Sequence, residues 1–234
     1  MMSFLARILI LSSLFMKITI LSAQQAVVDA DNLYDSDPLL FNGKQYSFFI
    51  PVSTGGHQFF SEPQFVTGSV TIRGVTYTDL TLNYDIYNQQ LVLQYINSLG
   101  AKNQIVLSEA WLESFRLKEI DFELISTQDS LKQIFQVIGT GQYYILYKWK
   151  KDLVMDGFIG SKNHTFTIPR KEMKLYSDNL ITQYTNNKTF YSLFVPGKKE
   201  RIIEYIRINK INVKKSADST VNRLVNYINS LSSK

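Results

Sequence analysis

The side chains able to do acid–base or nucleophilic chemistry in this chain fall into a few small groups. Tyr84, Asp85 and Tyr87 form one, with Asp79 upstream; paired carboxylates protonate and attack glycosidic bonds. Asp79 and Asp85 are expected on a common face, but along one strand they lie about 20 Å apart at about 3.3 Å per residue, too far for that pair. Asp85 with Glu109, both placed at strand ends, is the remaining carboxylate pair for a hydrolase. Ser53-Thr54-Gly55-Gly56-His57 places a hydroxyl and an imidazole beside glycines. Nucleophilic catalysis needs Ser, His and an orienting acid to converge in space, and no GxSxG elbow is present; a glycine-rich turn is the reading preferred. Asp29, Asp31, Asn32, Asp35 and Asp37 alternate in the manner of a calcium loop. Tyr34 stands where that loop needs Gly, and Leu40 where it needs Glu, so a solvated acidic linker is expected. His57 and His164 are the only histidines and lack metal-ligand spacing. Gly139-Thr140-Gly141 lacks the later glycine of a dinucleotide fingerprint. No metal or cofactor is expected.

The elements that position these groups read as strands first and helices last. Leu80, Leu82, Tyr84 and Ile86 alternate with Thr81, Asn83, Asp85 and Tyr87. A period of two sends the first set to a buried face and leaves Asn83, Asp85 and Tyr87 free on the other. Arg73-Gly74 and Asn88-Gln89-Gln90 supply turns on either side, which makes an antiparallel meander. Phe135 and Val137 lead through Gly139-Thr140-Gly141 to Tyr143, Ile145, Tyr147 and Trp149, a second hairpin. IVLSEAWLESFRL and IDFELIS predict shorter strands, and Phe166–Pro169 one more, ended by its proline. Beyond Pro196-Gly197, Ile202, Ile203 and Ile206 recur at helical spacing. Val221, Leu224, Val225, Ile228 and Leu231 form an i, i+3, i+4, i+7 stripe, with Asp218 or Ser219 as its cap. The expected fold is α+β: mainly antiparallel β meanders and hairpins with a C-terminal pair of amphipathic helices.

The N-terminus has its own chemistry. MMSFLAR carries Arg7, and a largely apolar run follows that ends in Ser22-Ala23. That order reads as a secretory signal peptide cleaved after Ala23; Lys17 interrupts the run and leaves it too short to span a bilayer. The organisation expected is therefore a signal at 1–23, a leader at 24–45, a β-rich domain at 46–195, and a helical segment at 196–234 packed on it. The chain has no cysteine, which removes disulfides, thiolate chemistry and a lipoprotein anchor. The formal charge of +5 is uneven. Residues 196–234 hold nine Lys or Arg against three Asp or Glu, so the basicity belongs to the tail. Lys198, Lys199 and Arg201 head that tail, as the polar face of an amphipathic helix or a contact to acidic lipid or protein. Aromatic residues are not interleaved with these charges, so no nucleic-acid partner is expected.

The meander GVTYTDLTLNYDIYNQQLVL and the tail FYSLFVPGKKERIIEYIRINKINVKKSADSTVNRLVNYINSL resemble exported proteins of Bacteroidota. The resemblance implies export and an α+β fold, and leaves the activity open. The expectation is an exported periplasmic or outer-membrane-associated protein, non-enzymatic, binding an envelope partner protein or an apolar small molecule. The surfaces expected to serve it are Asn83, Asp85 and Tyr87, and Lys198, Lys199 and Arg201. The alternatives are the carboxylate hydrolase above and a purely structural envelope component.

Overall fold

The computed structural model describes residues 27–29, 37–97, 99–127, 131–155 and 163–231. The expected signal peptide, the cleavage point and most of the acidic run lie outside them. The fold is α+β. Among the described residues, twelve strands form one sheet and three short strands a second.

The long sheet grows mainly by hairpins, because its turns carry the residues a tight reversal needs. β4 (Val66–Ile72) turns into β5 (Val75–Asp85) at Arg73-Gly74, where φ values of 49° and 77° suit a two-residue hairpin. β6 (Gln90–Ile96), β7 (Lys102–Val106) and β2 (Lys44–Gln45) continue to one edge. In the other direction run β8 (Leu112–Leu117), β9 (Ile120–Ser126), β10 (Lys132–Ile138) and β11 (Tyr143–Lys150). β14 (Arg170–Ser177) and β15 (Leu180–Tyr184) complete that side. β1 (Val27–Asp29) lies parallel to the first residues of β5. The small sheet holds β3 (Thr54–Gly55), β12 (Leu153–Met155) and β13 (His164–Phe166). The strand expected at Phe166–Pro169 thus ends at Phe166, and Pro169 directly precedes β14.

β5 carries an irregularity that changes which residues share a face. The register with β4 shifts between Gly68 and Val70, and Asp79 adopts a left-handed φ of 56°. An extra residue of this kind resets the alternation. Tyr77 is therefore buried in the same core as Leu80, Leu82 and Tyr84, while Asp79 is exposed. The common face expected for Asp79 and Asp85 ends at this bulge. Gly68 is required nearby for a different reason: a Cβ there would run into the backbone carbonyl of Arg116 on β8.

Two apolar clusters lie along the sheet. The first joins Leu80, Leu82, Tyr84 and Ile86 to Leu91, Leu93, Phe115 and Phe122. Phe115 and Phe122 stack at 4.7 Å between ring centres, an arrangement that adds to plain area burial. The second lies under the helices α1 (Asn187–Tyr191), α2 (Pro196–Ile208) and α3 (Asp218–Ser230). Ile202 and Ile206 of α2 and Val221, Leu224, Val225 and Ile228 of α3 meet Ile145, Tyr147, Met173 and Leu175. Trp149 touches both clusters. Its Nε1 donates to Gln136 Oε1 at 2.7 Å, and Gln136 Nε2 donates to Asp218 Oδ2 at 2.7 Å. Neither Asp218 nor Ser219 caps α3. The cap position is Ala217, without a side-chain bond; Asp218 is the first helical residue, and its carboxylate accepts from the buried amide of Gln136.

Candidate functional site

Asn83 and Asp85 are not on a free face. They are 4% and 0% exposed, because residues 57–65 and Tyr46 close over that side of β5. Phe60 N–H donates to the Tyr84 carbonyl and Ile86 N–H to that of Gln58, so the covering segment runs beside the end of β5. Asn83 Nδ2 then donates to the carbonyls of Glu62, Pro63 and Gln64 at 3.0, 3.4 and 3.0 Å. One amide holds three residues of the loop. A period of two names two faces, and only the rest of the chain decides that both are covered.

Asp85 is the hub beneath this loop. Its Oδ1 accepts from the backbone N–H groups of Tyr87 and Asn88, and its Oδ2 from Asn88 Nδ2 and the Tyr46 hydroxyl, all between 2.8 and 3.0 Å. Gln58 Nε2 donates in turn to the Tyr46 oxygen at 2.8 Å. Burial, reinforced by the Asp85 charge, pushes the Tyr46 phenol well above its ordinary range and keeps it a donor. Both oxygens of Asp85 are thus occupied in holding the turn. Glu109 stands exposed on the loop before β8.

Lys151 clamps the start of the same loop. It is 7% exposed, and its Nζ donates to the carbonyls of His57 and Phe59 at 2.7 and 2.8 Å, with His57 Nδ1 at 3.5 Å. Burial lowers the pKa of this amine, and the nearby Asp85 charge opposes the shift. His57 Nδ1 accepts the Phe59 N–H at 3.2 Å, which requires a neutral ring. Burial, and then the Lys151 charge, lowers the His57 pKa below its usual 6.5. The unfolded imidazole therefore takes up a proton before the folded one. Stability is complete above pH 6.5 and declines as the pH falls towards the folded value. Thermal unfolding between pH 7 and 5 should show the midpoint falling, and His57→Gln should flatten that component. An unchanged slope in the variant would count against this role.

Between loop 57–65 and the outer side of β6 and β7 runs an open groove of about 540 Å³. Phe59 and Phe65 line it from the loop; Gln94, Gln104 and Lys102 line it from β6 and β7, with Tyr46 directly beside Gln104, its N–H donating to the Gln104 carbonyl at 2.9 Å. Gln104 Nε2 donates to Gln94 Oε1 at 3.2 Å.

The third sequence candidate of this region, Tyr87, belongs to a different surface. It is 38% exposed, and its ring meets Phe48 at 5.6 Å and Phe166 at 5.5 Å. Around these rings, on the segment 48–52, on β12 and just after β13, apolar side chains face solvent. Phe49 is 92% exposed, Val52 90% and Ile168 85%, with Ile50, Val154 and Met155 also open. Pairing of β12 with β13, and of β13 with β3, ties the segments to one end of the molecule.

The remaining candidates are dispersed. Lys198 lies at the start of α2, 4.6 Å above the Tyr143 ring, and donates to the Tyr143 hydroxyl at 3.2 Å. Lys199 is half-buried and Arg201 exposed on the same helix. This basic group stands on the helical cluster, on different elements from Asn83, Asp85 and Tyr87. Thr54 Oγ1 donates to the Pro51 carbonyl, and His57 is engaged with Phe59 and Lys151, so the hydroxyl and imidazole do not form a catalytic pair; the stretch expected as a turn carries the short strand β3 at Thr54–Gly55. Asp37, the end of the acidic run, accepts from Leu39 N–H and the Tyr77 hydroxyl. Among the described residues no three His, Asp or Glu side chains gather as a metal site requires. No helix among them is long and apolar enough to cross a membrane. Sequence reasoning missed Lys151 and Gln58, whose polarity marks them as surface residues until their partners are seen. Comparison with protein-family models, curated proteins and solved structures finds no match to this chain.

Proposed function

We propose that the protein is an exported, non-catalytic component of the cell envelope that docks a partner protein through the apolar end around Tyr87. The observation that carries this reading is the cluster of exposed Phe49, Ile50, Val52, Val154, Met155 and Ile168 about the Phe48–Tyr87–Phe166 rings. Large apolar side chains gathered at one place on a surface are a mark of association, whereas single ones are ordinary. Export rests on the composition of residues 1–23. The hydrolase alternative weakens because Asp85 has no oxygen left to offer a substrate. Contact of the basic helix with acidic lipid is a separate and weaker reading, since Lys198 is turned to Tyr143.

The test is affinity capture from detergent-solubilised envelope with residues 24–234, beside a Phe49→Asp/Val52→Asp variant. Both positions are solvent-exposed, so the variant should fold. A stoichiometric protein held by the native chain and lost from the variant is the expected result. Equal capture by both, or no stoichiometric partner, would overturn the reading.

A further inference from the structure

The groove beside loop 57–65 shares no residue with the apolar end and has a different chemistry. Its strand side is a bed of side-chain amides. Gln94 and Gln104 spend one hydrogen bond on each other, and each amide can make several. Gln64, exposed on the loop, adds a third. Its aromatic lining is Tyr46 and Phe59, 6.4 Å between ring centres, and Phe65, T-shaped with Phe59 at 5.8 Å. Among the described residues, Lys102 is the one charged side chain along it. The volume falls within the roughly 300–1,000 Å³ of small-ligand sites.

These groups discriminate between ligand classes. A purely apolar molecule would strip water from the amides and leave them unpaired, which is costly. An anionic ligand would find a single lysine. An extended peptide needs free backbone groups along a strand, yet the Tyr46 N–H is already given to the Gln104 carbonyl. A sugar ring suits both sides at once. Its hydroxyls both donate and accept, as amides do, and its C–H face packs on an aromatic ring.

The walls are also fixed before any ligand arrives. The chain of bonds from Gln58 through Tyr46 to Asp85 immobilises one rim. The three carbonyls held by Asn83 immobilise the loop at 62–64. A site held in shape by such supports loses less entropy on binding. The buried residues singled out by sequence thus support a binding surface they do not themselves touch.

We propose that this groove binds a short neutral oligosaccharide, held by the amides of Gln94 and Gln104 and by the aromatic face of Phe65. The test uses residues 24–234, fluorescently labelled, on an array of neutral and acidic oligosaccharides. Calorimetry follows with the strongest neutral binder. Gln94→Ala/Gln104→Ala and Phe65→Ala should each weaken binding at least about fivefold, since one lost hydrogen bond or ring contact is worth about 1 kcal/mol. Phe49→Asp/Val52→Asp should bind as the native chain does, which separates this site from the partner-docking end. The glutamines are half-buried and line the open groove from the strands, so the double variant keeps the test valid should Phe65→Ala destabilise the loop. The proposal is overturned if no neutral oligosaccharide is retained, or if the double glutamine variant binds undiminished. It is equally overturned if only acidic glycans bind and salt releases them.

Discussion

Asp85→Ala is expected to destabilise the protein by about 3 kcal/mol or more, because it strands several buried donors at once. The Tyr46 hydroxyl, Asn88 Nδ2 and two backbone N–H groups all point at one carboxylate that is 0% exposed. Alanine offers none of them an acceptor, and the cavity it leaves adds to the cost. Asp85→Asn should fall between the two. Its remaining oxygen can still accept from Tyr87 and Asn88 N–H, but an NH₂ now faces Asn88 Nδ2, while the Tyr46 hydroxyl must find another acceptor. Urea unfolding of the three proteins would read this order directly. If Asp85→Asn proved as damaging as Asp85→Ala, the charge and not the turn geometry would be the dominant contribution. If neither variant lost stability, the hub role would be wrong.

The second large effect belongs to Lys151→Met, expected at about 2–3 kcal/mol from two buried carbonyls left without donors. Methionine fills similar space, so packing is nearly preserved and the loss reports hydrogen bonding. The His57 and Phe59 carbonyls lie at the entrance of loop 57–65, and the damage should begin locally. Hydrogen exchange at Gln58, Phe59 and Phe60 should accelerate more than exchange in β10 or α3. Uniform acceleration would mean that Lys151 supports the whole fold. Relief of the desolvation that lowers the Lys151 pKa opposes the loss and keeps it below that of Asp85→Ala.

Both effects depend on contacts that bridge distant parts of the chain, whereas the elements themselves were largely legible. Arg73-Gly74 and Gly139–Gly141 announce their hairpins because positive φ is a property of a residue and its neighbour. The stripe Val221, Leu224, Val225 and Ile228 announces α3 because helical periodicity is local. β14 and β15 escaped notice. Met173 and Leu175 are the buried residues of β14, set among lysines and glutamate, and Tyr184 is the one of β15; the turn at Asp178-Asn179 takes positive φ without glycine. That Asp-Asn pair was the signal available to find them.

What the sequence determined by itself was the α+β class, the antiparallel hairpins, the apolar face Leu80–Ile86, and the two long C-terminal helices. All follow from patterns within a few residues of one another. Only the tertiary structure decided that Asn83 and Asp85 are buried, that Tyr87 joins Phe48 and Phe166, and that Gln94 and Gln104 come to line one groove with Tyr46 and Phe65. It also set the Asp218 carboxylate against Gln136 and Lys151 under His57. Each of these is a contact between segments tens of residues apart. No local pattern encodes it, because a polar side chain reads as solvent-facing until the chain returns to cover it.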